Sequence, residues 1–115
     1  MIHEMKLNEK AFLNIKNGIK KFELRLYDEK RQKISLNDTL VFRDLNNLDH
    51  TISVKVIGLL IYNSFEDLFK DIDYNLCGPA DSLKEKLTRV HKFYTLEEEQ
   101  KYGILAIKLE SISVI

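Results

Sequence analysis

The sequence predicts an α+β fold, a small β-barrel with short flanking helices. Three observations carry this. Segments of strand-like alternation recur from one end of the chain to the other. Between them lie stretches with helical spacing and side-chain caps. The longest strand candidate, residues 51–62, begins as an alternating pattern and becomes apolar on both sides, as a barrel strand does where it passes beneath a helix.

Residues 2–7 read as a short first strand. Asn8 is a good N-cap for a helix over residues 9–17, whose apolar stripe is Ala11, Phe12 and Ile15. Gly18 stops that helix. In the strand that follows, Phe22, Leu24 and Leu26 alternate with Lys21, Glu23 and Arg25, which predicts one apolar and one charged face. Residues 27–32 read as an exposed loop, 39–42 as a strand and 44–49 as a turn rich in Asn and Asp. Within residues 51–62, Gly58 marks a bend or bulge. Ser64 caps a helix presenting Phe65, Leu68 and Phe69. Ser82 with Glu85 reads as a capping box for a helix that buries Leu83, Leu87 and Val90, and Thr95 with Glu98 as another for a short helix ending before Gly103. Residues 104–114 supply the last strand or strand pair.

The 115 residues fit one domain, 1–115, with a single modest core. Eighteen basic residues balance eighteen acidic ones, which excludes a protein that coats long nucleic acid by charge alone. A local basic patch remains, with seven Lys or Arg between residues 16 and 33 against Glu23, Asp28 and Glu29. Cys77 is the only cysteine, so no intrachain disulfide forms, and it reads as a small buried apolar group. No apolar stretch approaches a membrane span and the N-terminus is not a signal peptide, so a cytoplasmic protein is expected.

The run Gly18-Ile19-Lys20-Lys21-Phe22-Glu23-Leu24-Arg25, entered from a short helix, resembles the signature of ASCH domains, members of the PUA-like superfamily of small β-barrels. Phe12, Ile15 and Lys16 precede it as in the family pattern; residues 35–42 are similar to a later motif, with Asn37 where Gly is usual. Residues 102–107 look like the family's closing strand. The resemblance implies a PUA-like barrel and RNA, nucleotide or modified-nucleoside ligands. Family amidohydrolases use a Lys at the Lys20 position, implying an activating amine or general base there. They use a Thr nucleophile where this chain has Glu23, and residues 67–78 hold no counterpart to their downstream carboxylate.

Glu23 and Arg25 project from one strand face, two residues apart. One reading is a ligand clamp, in which Glu23 accepts from an amino group and Arg25 grips phosphate or carboxylate in fork geometry. The other is an internal ion-pair network with Lys20 or Asp28. Lys30, Arg31 and Lys33 beside Tyr27 suit the rim of an RNA site, with a base stacked on Tyr27. Tyr94 or one of Glu97, Glu98 and Glu99 is a candidate for the opposite side of the cleft, and His3 for its border; as an alternative for the acidic run, Glu98 caps its helix while Glu97 and Glu99 are solvated. His3, His50 and His91 lack metal-ligand spacing, and no phosphate loop or CxxC pair occurs, so no cofactor or metal is expected. The expected function is binding of RNA, or of a nucleotide or modified nucleoside, by Lys20, Lys21, Glu23, Arg25, Tyr27, Lys30 and Arg31. The alternatives are a hydrolase using Lys20 and Glu23 as acid/base pair, and a protein-interaction module.

Overall fold

The computed structural model describes residues 1–110. Its elements are β1 (Ile2–Leu7), α1 (Glu9–Lys16), β2 (Phe22–Leu26), β3 (Thr39–Asp44), β4 (Asn47–Tyr62), α2 (Phe65–Asp71), α3 (Leu83–Phe93), α4 (Leu96–Tyr102) and β5 (Ile104–Leu109), with short 3-10 turns at Arg31–Lys33 and Tyr74–Cys77. The strands form one sheet in the order β1-β3-β4-β5-β2, curled into a half-barrel. The β1–β3 pair is parallel and the other three pairs are antiparallel. The mixed α+β architecture with a barrel-like sheet is the one the sequence predicts.

Helix starts follow from local chemistry. Asn8 accepts the Ala11 N–H at 2.8 Å, Ser64 the Asp67 N–H at 3.0 Å, and Thr95 the Glu98 N–H at 3.1 Å. Glu98 returns a bond to the Thr95 N–H at 3.0 Å, which completes the capping box. Thr95→Ala removes one half of that exchange and is expected to cost about 1 kcal/mol, read as a lower urea midpoint with unchanged slope. At the end of α1, Gly18 takes a left-handed φ of 74°, which turns the chain into β2.

The sheet is packed on both faces where β5 lies. Leu105 and Ile107 join Phe42, Leu40 and Val56 inside the curl, beneath Phe12 and Ile15 of α1. Ile104 and Ala106 face the other way, against Phe65 and Leu68 of α2 and the apolar side of β2. Alternation along β5 therefore feeds two cores, and β2 lies at the sheet edge with its apolar side on the second.

Several expectations need correction. The turn after β3 is only Leu45-Asn46, because the polar residues that follow already pair within β4. The apolar stretch of β4 is not fully buried: Ile57 is 46 % and Ile61 57 % exposed. The register does slip between Val56 and Gly58, and a Cβ on Gly58 would stand 2.9 Å from the Lys108 Cβ, so the bulge needs glycine. Tyr27 is half-buried against the inner core instead of standing in an exposed loop. Ser82 caps α3, but Glu85 bonds the Asp81 N–H, one residue outside a capping box. The residue that α3 buries is Lys86, while Leu83 is 43 % exposed. The last strand is described to Leu109; the expected continuation over residues 111–114 lies outside the described residues. Among the described residues no helix is long and apolar enough to cross a membrane.

Candidate functional site

Backbone bonds fix the entry to β2 before any side chain is considered. The Ile19 and Lys20 N–H groups both donate to the Asn14 carbonyl at 2.9 Å, and the Lys21 N–H donates to the Leu76 carbonyl at 2.7 Å. Lys20 thus sits on a short bridge held at one end by α1 and at the other by the turn before Cys77. The two-residue period of β2 then places Glu23 and Arg25 on one face, opposite Ile107 and Leu105 of β5, so this face lies over the inner core.

The charged face of β2 is therefore buried, contrary to the expectation of an open one. Glu23 is 3 % exposed. Its Oε1 accepts from Lys20 Nζ at 2.9 Å and its Oε2 from Arg25 Nη2 at 3.2 Å. Arg25 Nη2 also reaches the Lys6 carbonyl at 3.4 Å, linking the edge strands β1 and β2. Burial alone would raise the Glu23 pKa; the charges of Lys20 and Arg25 and their hydrogen bonds outweigh it and hold the carboxyl below its ordinary value. Two cations on one enclosed carboxylate leave a surplus positive charge at the mouth of the network, where the Lys20 and Arg25 side chains keep 10 % and 17 % of their surface.

A third cation stands behind them. Lys86 of α3 is 4 % exposed and donates to the Cys77 and Gly78 carbonyls at 2.9 and 2.7 Å. Burial pushes its ammonium down to about 8, and the charges of Lys20 and Glu23 act on it from the network. Position 86 completes the stripe of 83, 87 and 90, so helical spacing marks it as inward-facing, although lysine is ordinarily a surface residue. Burial pushes the Cys77 thiol up to about 12, which keeps it protonated and unsuited to nucleophilic attack.

The other predicted residues divide. Lys21 lies in the β2 entry with its ammonium near Gly18 and bonds neither Glu23 nor Arg25. Asp28, offered as a partner for Arg25, instead binds Arg31, accepting its N–H at 3.0 Å and its Nη1 at 3.2 Å. Lys30 and Arg31 line a separate pocket that includes His3, and the His3 ring bonds Asp38 Oδ2 at 2.9 Å. Tyr94 packs against the second core, stacked on Phe65 with ring centroids 5.9 Å apart, and burial raises its phenol pKa. Of the acidic run, Glu98 serves the capping box. Glu99 is buried, against the expectation that it is solvated, because its Oε1 accepts the Phe65 N–H at 2.7 Å; that fixes it at the start of α2 instead of opposite Lys20.

A family model for the ASCH domain matches residues 5–113. The crystal structure of the hypothetical protein PH0355 is similar at 37% identity, covering 97% of this chain and 100% of its own, with a TM-score of 0.86. The solution structure of protein PF0455 from Pyrococcus furiosus is similar at 34% identity, covering 99% and 100%, with a TM-score of 0.79. The crystal structure of ASCH from Zymomonas mobilis shares the fold at 12% identity, covering 95% of this chain and 66% of its own, with a TM-score of 0.67. No curated protein matches the chain.

Proposed function

The chain belongs to the ASCH domain family, whose PUA-like fold is generally associated with RNA binding, and on that premise we infer that it binds single-stranded RNA or a nucleotide or modified nucleoside derived from it. Lys20, Glu23 and Arg25 form the contact point. The observation that carries this reading is the surplus cation on Glu23: a carboxylate that already holds Lys20 at 2.9 Å and Arg25 at 3.2 Å leaves guanidinium and ammonium donors free for an incoming oxygen. Lys21, at the entry to β2, adds a further positive charge beside the contact point. A net charge of zero over the whole chain suits a compact polar ligand better than a long polyanion.

The same geometry argues for binding over turnover by a Lys20–Glu23 acid/base pair. A general base works best with a pKa near the operating pH, and Glu23 is held the other way, below its ordinary value.

Fluorescence anisotropy of a short mixed-sequence single-stranded RNA tests the reading at low and near-physiological salt. Wild type is expected to bind in a salt-sensitive manner, and Arg25→Gln to weaken binding by about tenfold or more while keeping its circular dichroism. Absence of binding by wild type at both salts sinks the RNA reading.

A further inference from the structure

A pocket of about 280 Å³ opens beside β1, lined by Ile2, His3, Glu4, Met5, Lys30, Arg31 and Ile34. Its apolar part comes from Ile2, Met5 and Ile34, and its polar part from Lys30, Arg31, His3 and the carboxylate Glu4. Three features separate this concavity from an ordinary surface dimple.

First, the carboxylates around it are already engaged. Asp28 holds Arg31; Asp38 holds His3 at 2.9 Å, the Met1 ammonium at 3.2 Å and the Ser35 N–H at 2.9 Å; Glu4 holds Arg43 at 3.0 Å. The hydrogen bond from His3, then that from Ser35, keeps Asp38 ionised down to about 2, so it stays an acceptor for the histidine at any ordinary pH. Second, Arg31 is oriented but not satisfied. Asp28 takes one guanidinium nitrogen at 3.2 Å, and Nε is enclosed with no acceptor among the described residues. An enclosed charged donor without a partner is costly and calls for an acceptor that the protein does not itself supply. Third, Lys30 is exposed at the pocket and bonds no carboxylate among the described residues.

We propose that this pocket is an oxyanion subsite, which takes a phosphate group between the Lys30 ammonium and the Arg31 guanidinium, with His3, whose Nε2–H is given to Asp38, as part of its wall. The two cations supply the charge, the Asp28 and Asp38 contacts hold the arginine and the histidine in place, and the guanidinium offers the fork geometry that phosphate accepts. The proposal rests on the nucleic-acid reading and extends it. Arg25 Nη2 reaches the Lys6 carbonyl of β1 at 3.4 Å and the pocket is lined by residues of the same strand, so the Glu23 network and the subsite meet along β1. A nucleotide would place its base-bearing end at the network and its phosphate in the pocket.

The test follows backbone amide shifts of the whole protein during titration with uridine, with UMP, with inorganic phosphate and with a uridine dinucleotide that lacks terminal phosphates. UMP is expected to bind more tightly than uridine and to shift the amides of His3, Glu4, Met5, Lys30 and Arg31; inorganic phosphate is expected to shift the same set. The dinucleotide separates the two phosphate sources: shifts there assign the pocket to a chain phosphodiester, and their absence with UMP active assigns it to a terminal phosphate. Lys30→Gln, an exposed change that leaves the fold intact, is expected to weaken UMP about threefold to tenfold and lower its salt dependence by about one charge, with uridine unaffected. Arg31→Lys keeps the charge and removes Nε, and is expected to weaken UMP as well. Equal binding of UMP and uridine, or UMP binding indifferent to both variants, overturns the subsite and leaves the network reading standing. If neither RNA nor any of the four probes moves an amide in either place, both readings fall.

Discussion

Glu23→Ala is expected to destabilise the protein by about 3–5 kcal/mol, measured by urea unfolding at pH 7. The reason is what the substitution leaves behind. Lys20 and Arg25 keep their positive charges in an enclosed site with no carboxylate between them, and the Leu24 N–H loses the oxygen it contacts at 3.1 Å. Removing the cations as well changes the outcome: a triple variant with Lys20→Met, Glu23→Leu and Arg25→Met is expected to regain most of the loss, because an apolar cluster of similar size needs no pairing. The pH dependence has a definite sign. Folded Glu23 titrates below its ordinary value of 4.5, so the stability it contributes is fully present above pH 4.5 and disappears as pH falls through the folded value. The gap between wild type and Glu23→Ala should therefore be level near neutrality and shrink in acid. A loss below about 1 kcal/mol for Glu23→Ala, or a gap that does not shrink in acid, removes the network as an energetic unit. Recovery by the triple variant together with loss of RNA binding would place the network with ligand contact and not with stability.

How much of this was legible in the chain depends on which interactions decide each feature. Helix starts were readable because a cap is a local bargain between one side chain and one N–H three residues on, as at Asn8, Ser64 and Thr95. The glycine stop at Gly18 and the bulge at Gly58 were readable for the same reason. The alternation of β2 gave which residues share a face, and that places Glu23 beside Arg25. It could not say which face is covered. Alternation usually means one side in water, but β2 joins β5 at a place where the curl of the sheet encloses both sides, and that pairing is with residues about 80 positions away. The pairing of Asp28 with Arg31 instead of Arg25, and of Glu99 with the start of α2, likewise depends on tertiary placement that spacing does not encode. The pocket beside β1 brings His3 to Lys30 and Arg31 across that same curl; the basic rim and the bordering histidine were visible in the sequence, and the apolar wall of Ile2, Met5 and Ile34 was not.

Lys86 is where propensity and placement conflict most, and its removal carries the second large effect. Lys86→Met keeps the length of the side chain and deletes its donors, so the Cys77 and Gly78 carbonyls lose their partners at 2.9 and 2.7 Å. Leaving such acceptors enclosed costs about 1–3 kcal/mol. The loss should also reach the candidate site, since the turn that Lys86 holds carries Leu76, whose carbonyl accepts the Lys21 N–H at 2.7 Å at the start of β2. The titration of Lys86 distinguishes this role from simple packing. Burial is the chief cause that lowers it to about 8, with Lys20 and Arg89 acting in the same direction and Cys77 and Glu23 against them. The unfolded chain binds that proton up to its ordinary value of 10.5, so between about pH 8 and 10.5 the unfolded state holds more protons, and stability rises with pH across that window. A neutral amine still has two N–H groups, the number the two carbonyls require, so both bonds survive the loss of charge. Wild type should therefore gain on Lys86→Met as the solution becomes alkaline, with the same sign of slope in pH that Glu23 gives in acid. A gap that stays flat from pH 7 to 10 would mean that Lys86 titrates as a surface amine and that the Tyr74–Cys77 turn is held by other contacts. A gap that widens, accompanied by weaker RNA binding in Lys86→Met at pH 7, would make this buried lysine the support on which the Lys20 end of the site rests.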